Sequence, residues 1–461
     1  LATDKKPDML VDTAPRNSED EPAPHSHLTR DDASDPEVFS PPAKAISTKQ
    51  LLLAIVLVAG FAELAYTVLT VSAMPVFIRS IDLDDKWIGI IGTAFILVEG
   101  VMKSPFGLLG DRIGRRTLIL AGPCVSIVTT LIVPHVHDPY SLIGLRVLDG
   151  LGAAALWPAA FSLIGDHVPE EKRSSAMSYF NLAYIVGIAL GPFIGGSVND
   201  FAFNHLHASL NGSKQASFYV ASALFLMTGI VAYFAIPRTP PHVSTSELGG
   251  TSETEGGIDM HSFKLMLRQM PMTLLMTLIT FTGIGLIMLY FKVFTLDTLH
   301  ISETGFGKLL IFPALLIGLL SVPLGKMGDR IGKALAVKVG IGICAISFWL
   351  MVIFFNEITL IIFGSLLGIG FVIAFPAWMA LVTSTTSEKH RGAAVGAVGT
   401  AQGIGAIIGV LVSSRLYTHP GIFLHHLPKH NLPFLGCALM LTISFVLAVT
   451  TVRDPGVPVD V

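Results

Sequence analysis

At 461 residues, with 52% hydrophobic and only 14% charged side chains, the chain lies far from the roughly one-quarter charged composition of soluble domains, which excludes water as its main solvent. A net charge of −3, without any basic run interleaved with aromatics, argues against nucleic acid as a partner. Cys124, Cys344 and Cys437 all fall in apolar runs without C-x-x-C spacing, so neither a disulfide framework nor a thiol metal site is expected.

Residues 1–49 hold ten acidic and six basic side chains among Pro and Ser, a composition expected to form a disordered tail. They lack the basic start and apolar stretch of a secretory signal, so no cleavage for export is expected there. Apolar runs of the roughly 20 residues that a membrane-spanning helix needs then follow at 51–74, 87–109, 117–134, 140–164, 175–198 and 217–236. After a polar, Gly/Ser/Thr-rich linker at 237–270, six more follow at 271–294, 304–325, 334–355, 357–382, 392–414 and 432–452, with a short tail at 453–461. The predicted fold class is therefore an all-α membrane protein of about twelve spans, an N-terminal six-helix half (50–236) and a C-terminal one (271–452). Loops on one side carry most of the lysine and arginine, among them Arg112, Arg115, Arg116, Lys172, Arg173, Arg330 and Lys389, while the other side carries only Arg79, Lys86, Lys214 and Lys429. That asymmetry predicts a cytosolic basic face, with both termini and the linker on it, and insertion in the cell (inner) membrane.

A single offset of 218 residues aligns the halves without gaps. Gly110-Asp111-Arg112-Ile113-Gly114 superposes on Gly328-Asp329-Arg330-Ile331-Gly332, and Gly89/Gly307, Pro105/Pro323, Gly150/Gly368, Gly152/Gly370, Pro158/Pro376, Gly187/Gly405 and Gly191/Gly409 keep the register. Two related halves in parallel place a binding site between them near the midplane and let one rock against the other.

The segment Gly107-Leu108-Leu109-Gly110-Asp111-Arg112-Ile113-Gly114-Arg115-Arg116 resembles the signature between the second and third helices of the major facilitator superfamily, and Gly325 to Lys333 is its weaker second copy. The resemblance covers residues 50–452. It implies that Asp111, Arg112, Arg115 and Arg116, with Asp329 and Arg330 in the second copy, form a charge latch on the cytosolic face, closed when the protein faces outward; charge that merely sets topology is the plainer alternative. Arg146, Gly150 and Gly152 resemble a fourth-helix motif whose arginine is tied to proton transfer, and Asp149 is placed to pair with Arg146 on the same helix; a purely structural ion pair is the alternative. Gly187-Ile188-Ala189-Leu190-Gly191-Pro192-Phe193-Ile194-Gly195-Gly196 resembles the fifth-helix pattern of the antiporter branch, which includes drug:proton exporters. Its glycines give a flat stripe for close helix approach, mobile or static, and the eleventh span offers a comparable stripe at Gly392, Gly396, Gly399 and Gly403.

Outside these motifs, Glu63 shares a predicted helix face with Tyr66, Thr67 and Thr70, a polar stripe expected to face a watery cavity, as proton or cation carrier or as a structural hydrogen-bonding group. Glu99 and Lys103 are four apart and able to neutralise each other. Ser178, Asn181 and Tyr184, with Trp378 and Gln402, are candidate cavity linings. Nine histidines (His135, His137, His205, His207, His300, His419, His425, His426 and His430) fall in or beside loops of the far side, more readily read as solvated than as metal ligands. With no nucleophile and base pair, phosphate loop or zinc spacing, neither an enzyme nor a cofactor is indicated. The expectation is a proton-coupled antiporter exporting a small organic compound, with the bilayer, the substrate and protons as partners; a symporter for a metabolite, metal ion or chelate, and a nontransporting sensor, are the alternatives. Oligomeric state is silent in the sequence, a monomer being one option.

Overall fold

The computed structural model describes residues 48–168, 170–207, 209–237, 270–384, 391–418 and 430–453, in which the regular structure is entirely helical. The expected terminal tails and linker lie outside those residues but for their edges. Helix α1 (Thr48–Thr67), a π-helical stretch (Val68–Ala73) and α2 (Met74–Ser80) form the first span. Then come α3 (Lys86–Ile113), α4 (Arg115–Ile132), α5 (Pro139–His167), α6 (Glu170–Asn204) and α7 (Leu210–Ala235). In the second half α8 (Pro271–Met288) and α9 (Phe291–Leu299) make the seventh span. It is completed by α10 (Glu303–Ile331), α11 (Lys333–Ile353), α12 (Glu357–Ser384), α13 (Arg391–Thr418) and α14 (Leu432–Thr451).

Twelve of these spans are long and apolar enough to cross a membrane, matching the expected set. Several helices overshoot the apolar runs: α6 is 35 residues long, because intrahelical hydrogen bonding continues through the polar ends that a hydropathy reading stops at. The Asn211-Gly212-Ser213 sequence forms the first turn of α7, where Ser209 accepts a hydrogen bond from the Gly212 amide at 3.1 Å.

The same packing scheme occurs twice. In the first half α5 packs on α3 and α4, α1 on α6 and α7, and α4 on α7; in the second α12 packs on α10 and α11, α8 on α13 and α14, and α11 on α14. Each α-helix thus has a partner at the same position of the repeat. Glycine makes the tightest crossings possible: a methyl group at Gly122 or Gly152 would lie 2.5 or 2.8 Å from the other's carbonyl oxygen, and at their equivalents Gly340 and Gly370 the distances are 2.5 and 2.6 Å. The turns after α3 and α10 need glycine for another reason, since Gly114 and Gly332 sit at φ 91° and 93°, where a side chain is strained.

The first span of each half is irregular at one repeat position. The π-helical stretch Val68–Ala73 precedes Pro75, which lacks an N–H for the helical ladder, and the corresponding Leu286 to Phe291 contains the break between α8 and α9. The two halves meet along two seams, α3 against α13 and α6 against α10, which exchange under the repeat.

Candidate functional site

The turns at Gly114 and Gly332 mark the basic face; α3, α5, α7 and α10 begin on the opposite, far face. At the first-half wall, Glu63 is only 8% exposed and accepts a hydrogen bond from Thr67 Oγ1 at 3.2 Å. It lies within electrostatic reach of Glu99, Lys103 and Tyr184. Glu99 and Lys103 form the expected pair at 2.8 Å. Tyr184, partly exposed, stands edge-on to Trp157 with ring centres 5.5 Å apart, and Asn181 is exposed on the same helix.

The glycine stripe of α6 seats that helix on the first span. A methyl group at Gly187 would lie 2.8 Å from Glu63 Cβ, at Gly191 2.6 Å from Thr67 Cβ, and at Gly195 2.5 Å from Ser72 Oγ. Gly196 meets the other half, 2.4 Å from the Glu303 carbonyl oxygen, and Pro192 is buried beside them. Gly191→Leu is therefore expected to prise α6 off α1: membrane expression should persist while any exchange of substrate falls at least about tenfold, given the steep loss of packing at such contacts. Wild-type exchange by that variant would show the stripe to be loosely packed.

A second buried group links three helices. Arg146 and Asp149 pair within α5, each 1% exposed. Asp149 accepts from Ser126 Oγ at 2.6 Å, which in turn accepts from the Tyr66 hydroxyl at 2.9 Å. Arg146 donates to Thr70 Oγ1 at 2.9 Å and lies 4.2 Å from the Phe95 ring centre. The polar stripe on α1 is therefore divided: Glu63 and Thr67 face α6, whereas Tyr66 is buried in the Arg146–Asp149 network and not presented to a cavity. Trp378, expected as cavity lining, is buried in an apolar cluster with Ala374, Ala377 and Leu381, and Gln402 is half-buried.

The stripe expected on the eleventh span is displaced. Gly396, Gly399 and Gly403 have no atom within 4 Å of a Cβ position, while Gly405 and Gly409, the repeat equivalents of Gly187 and Gly191, pack on α8 at 2.5 and 2.2 Å. Helical spacing alone does not say which of two overlapping glycine rows meets the neighbour. In the latch, Arg112 is exposed, and Arg116 donates to the Tyr233 carbonyl at 2.5 Å with its guanidinium 5.4 Å from the Tyr233 ring centre. Arg115 is half-buried; the side chains of Asp111, Asp329, Arg330 and Ser178, and those of the first turn of α13, lie outside the described residues.

A set of hydrogen bonds and ion pairs joins the halves at the far face. Lys292 Nζ donates to the Ser72 carbonyl at 2.7 Å and pairs with Glu303 at 2.7 Å; Glu303 also takes Lys214 at 2.5 Å and Asn199 Nδ2 at 3.1 Å. Thr304 N–H donates to Asp200 at 3.0 Å. On the other seam the Tyr290 hydroxyl accepts from Gly89 N–H at 3.1 Å and donates to the Asp85 carbonyl at 2.9 Å. Between the seams Arg79 clasps Asp85 at 2.6 and 2.8 Å and reaches Asp297 at 2.9 Å, and Tyr417 donates to Asp297 at 3.3 Å. Gly92 and Gly307 touch the opposite half here, at Leu289 and Phe193, whereas Gly100 on α3 and Gly399 on α13 face open space nearer the basic face. Along the α3–α13 seam the halves touch at the far face and leave open space nearer the basic one.

The sequence reading passed over Lys292, Glu303, Asn199, Asp297, Tyr290 and Tyr417. Lys292 carried a signal of its own, a cation within a predicted span. The repeat carried another: Ser72/Tyr290, Arg79/Asp297, Asp85/Glu303 and Asn199/Tyr417 are all pairs at the 218-residue offset, visible only when unlike residues are compared as well as identical ones.

Among the described residues, twelve spans in two equivalent halves, joined at one end around the buried Glu303, define an integral multi-pass membrane protein of transporter architecture. The family model described as Major Facilitator Superfamily matches residues 52–272 and 273–460, and the chain belongs to that family. It is 24% identical to an uncharacterised MFS-type transporter of Methanocaldococcus jannaschii over 342 residues, covering 73% of this chain and 84% of the relative. It is 25% identical to the multi-drug resistance efflux pump PmrA of Streptococcus pneumoniae, over 69% of this chain and 77% of the pump. In fold it is similar to a bacterial homologue of the human lysosomal transporter Spinster, solved in an inward-facing and unoccupied conformation, with TM-score 0.66 and 18% identity over 88% of this chain and 95% of that one.

Proposed function

We propose that the chain is a proton-coupled antiporter that exports a small organic compound by alternating access, with the basic face cytosolic. The observation that carries the reading is the position of Glu63. It is a nearly buried carboxylate on the contact between α1 and the glycine stripe of α6, within reach of Glu99 and Tyr184. A proton acceptor on the wall of one half meets different surroundings as the opposite half and water approach or withdraw, which would tie proton movement to rocking. The resemblance of Gly187 to Gly196 to the antiporter pattern and the similarity to an efflux pump support export. Closure at the far face, with open space at the basic end, fits an inward-open state waiting for cytosolic substrate.

The experiment is a substrate screen on inverted vesicles or proteoliposomes under an imposed proton gradient. Antiport is expected to move protons opposite to substrate, so that each transported compound dissipates the gradient. Protons moving with substrate would establish a symporter instead. Counterflow of no compound in a broad screen would favour the sensor reading.

A further inference from the structure

At the basic end α4 meets α7 in the first half as α11 meets α14 in the second, and the two corners settle their cations differently. In the first, Arg116 near the start of α4 closes off the end of α7: it donates to the Tyr233 carbonyl and stacks on the Tyr233 ring. The equivalent position on α11, 218 residues on, is Ala334, and the cation stands about a turn deeper, at Lys338. No carbonyl or acid takes up its charge. Among the described residues, Lys338, Lys333 and Arg453 make no side-chain hydrogen bond or ion pair, and neither α11 nor α14 carries a carboxylate.

We propose that the crevice between α11 and α14 binds an anionic phospholipid of the basic-side leaflet, with its phosphate on Lys338 flanked by Lys333 and Arg453. Lys338 is half-buried and lies five residues after Lys333, about 7 Å along the helix axis and inside the span Lys333–Ile353. A cation at that depth is costly unless it pairs or its long stem carries the charge to the headgroup level. The crevice has a floor and apolar flanks. Val337 on α11 and Ala448 and Val452 on α14 are buried together, and a methyl group at Gly342, one turn beyond Lys338 on the same face, would lie 2.9 Å from the Phe445 ring. Leu335 and Val339 beside it, and Val446 and Val449 on α14, are exposed at the depth of acyl chains. The charge pattern selects the headgroup. Three cations without an acid complement a net negative phosphate diester, whereas a zwitterionic headgroup brings its own ammonium and finds no carboxylate to receive it. A soluble anion would gain nothing from the apolar flanks, so lipid is the occupant that uses both parts of the surface.

The test needs no substrate and reads the site locally. In a background with Cys124, Cys344 and Cys437 replaced by alanine, the full chain carries a fluorophore on Leu335→Cys, or on Ile353→Cys at the far end of the same helix, both exposed to lipid. Quenching is followed in vesicles where dibrominated phosphatidylglycerol or dibrominated phosphatidylcholine replaces part of a phosphatidylcholine bilayer. At 335 phosphatidylglycerol is expected to bind at least about fivefold more tightly than phosphatidylcholine, while at 353 the two compete equally. Lys338→Met is expected to abolish the preference at 335, and Lys338→Arg, which keeps the charge, to retain it. Should Lys338→Met be lost in expression, Arg453→Gln, a change at an exposed position, is expected to lower the preference at least about twofold, and an unchanged preference there would sink the site. A preference that survives Lys338→Met would assign the attraction to the basic face as a whole and overturn the proposal. Equal quenching by the two lipids at 335 in the parent protein would overturn it too, showing that Lys338 reaches water and not phosphate.

Discussion

Glutamine at position 63 is expected to leave gradient-independent substrate exchange intact and to abolish proton-driven accumulation. The substitution keeps the shape of the side chain, its acceptor for Thr67 and its fit against Gly187, and removes only the ability to bind and release a proton. Exchange needs rocking and a binding site; accumulation also needs a proton carried on each cycle. The loss should therefore appear in one assay and not in the other, with driven uptake falling about a hundredfold or more, as for a group essential to one step. Proton flux per substrate in proteoliposomes checks it. A wild-type ratio in Glu63→Gln would pass the carrier role to Glu99 or Asp149 and leave Glu63 as a structural acceptor.

Arg146→Ala is expected to be the most damaging single change to the fold of the first half. It leaves the Asp149 carboxylate, 1% exposed, without its cation, and removal of one partner from a buried pair costs about 3–5 kcal/mol. Thermal unfolding in detergent should register this as a markedly lower midpoint. Arg146→Lys keeps the charge but lacks the planar fork that serves Asp149 and Thr70 together, so driven transport should fall almost as far as in Arg146→Ala while stability recovers. The double variant Arg146→Met/Asp149→Leu separates the roles, because it strands no charge. Restored stability with transport still lost assigns the pair to coupling. Restored transport would return it to structure.

What was legible in the sequence was local or periodic. Twelve spans follow from apolar run length, and the pairs Arg146–Asp149 and Glu99–Lys103 follow from helical spacing, because partners three or four residues apart need no tertiary information to meet. The stripe Glu63, Tyr66, Thr67 and Thr70 does not form a single surface. Its arc is wide enough to meet two neighbours, and the long Tyr66 side chain reaches Ser126 on α4 while Glu63 faces α6. The eleventh-span stripe lay on the wrong face for a related reason: α13 has glycine rows on two faces, and only contact with α8 distinguishes Gly405 and Gly409 from Gly399 and Gly403. The far-face contacts between the halves were least legible. They join residues 89 to 220 positions apart, and which of them are made depends on the rigid-body setting of the halves, a quantity that no local pattern encodes.

The Arg79–Asp297 contact joins one position of the repeat to its own equivalent, 218 residues on, and so lies on the axis that exchanges the halves. In a symmetric pair of identical six-helix chains that axis would present the same side chain twice, since an isologous interface sets each residue on it against its copy. Two arginines or two aspartates there would repel. The bond exists because the two equivalent positions carry different residues, a cation in one half and an anion in the other. A protein built from two first halves in tandem would place arginine against arginine at that point, so this contact marks where the two halves of the chain are no longer interchangeable.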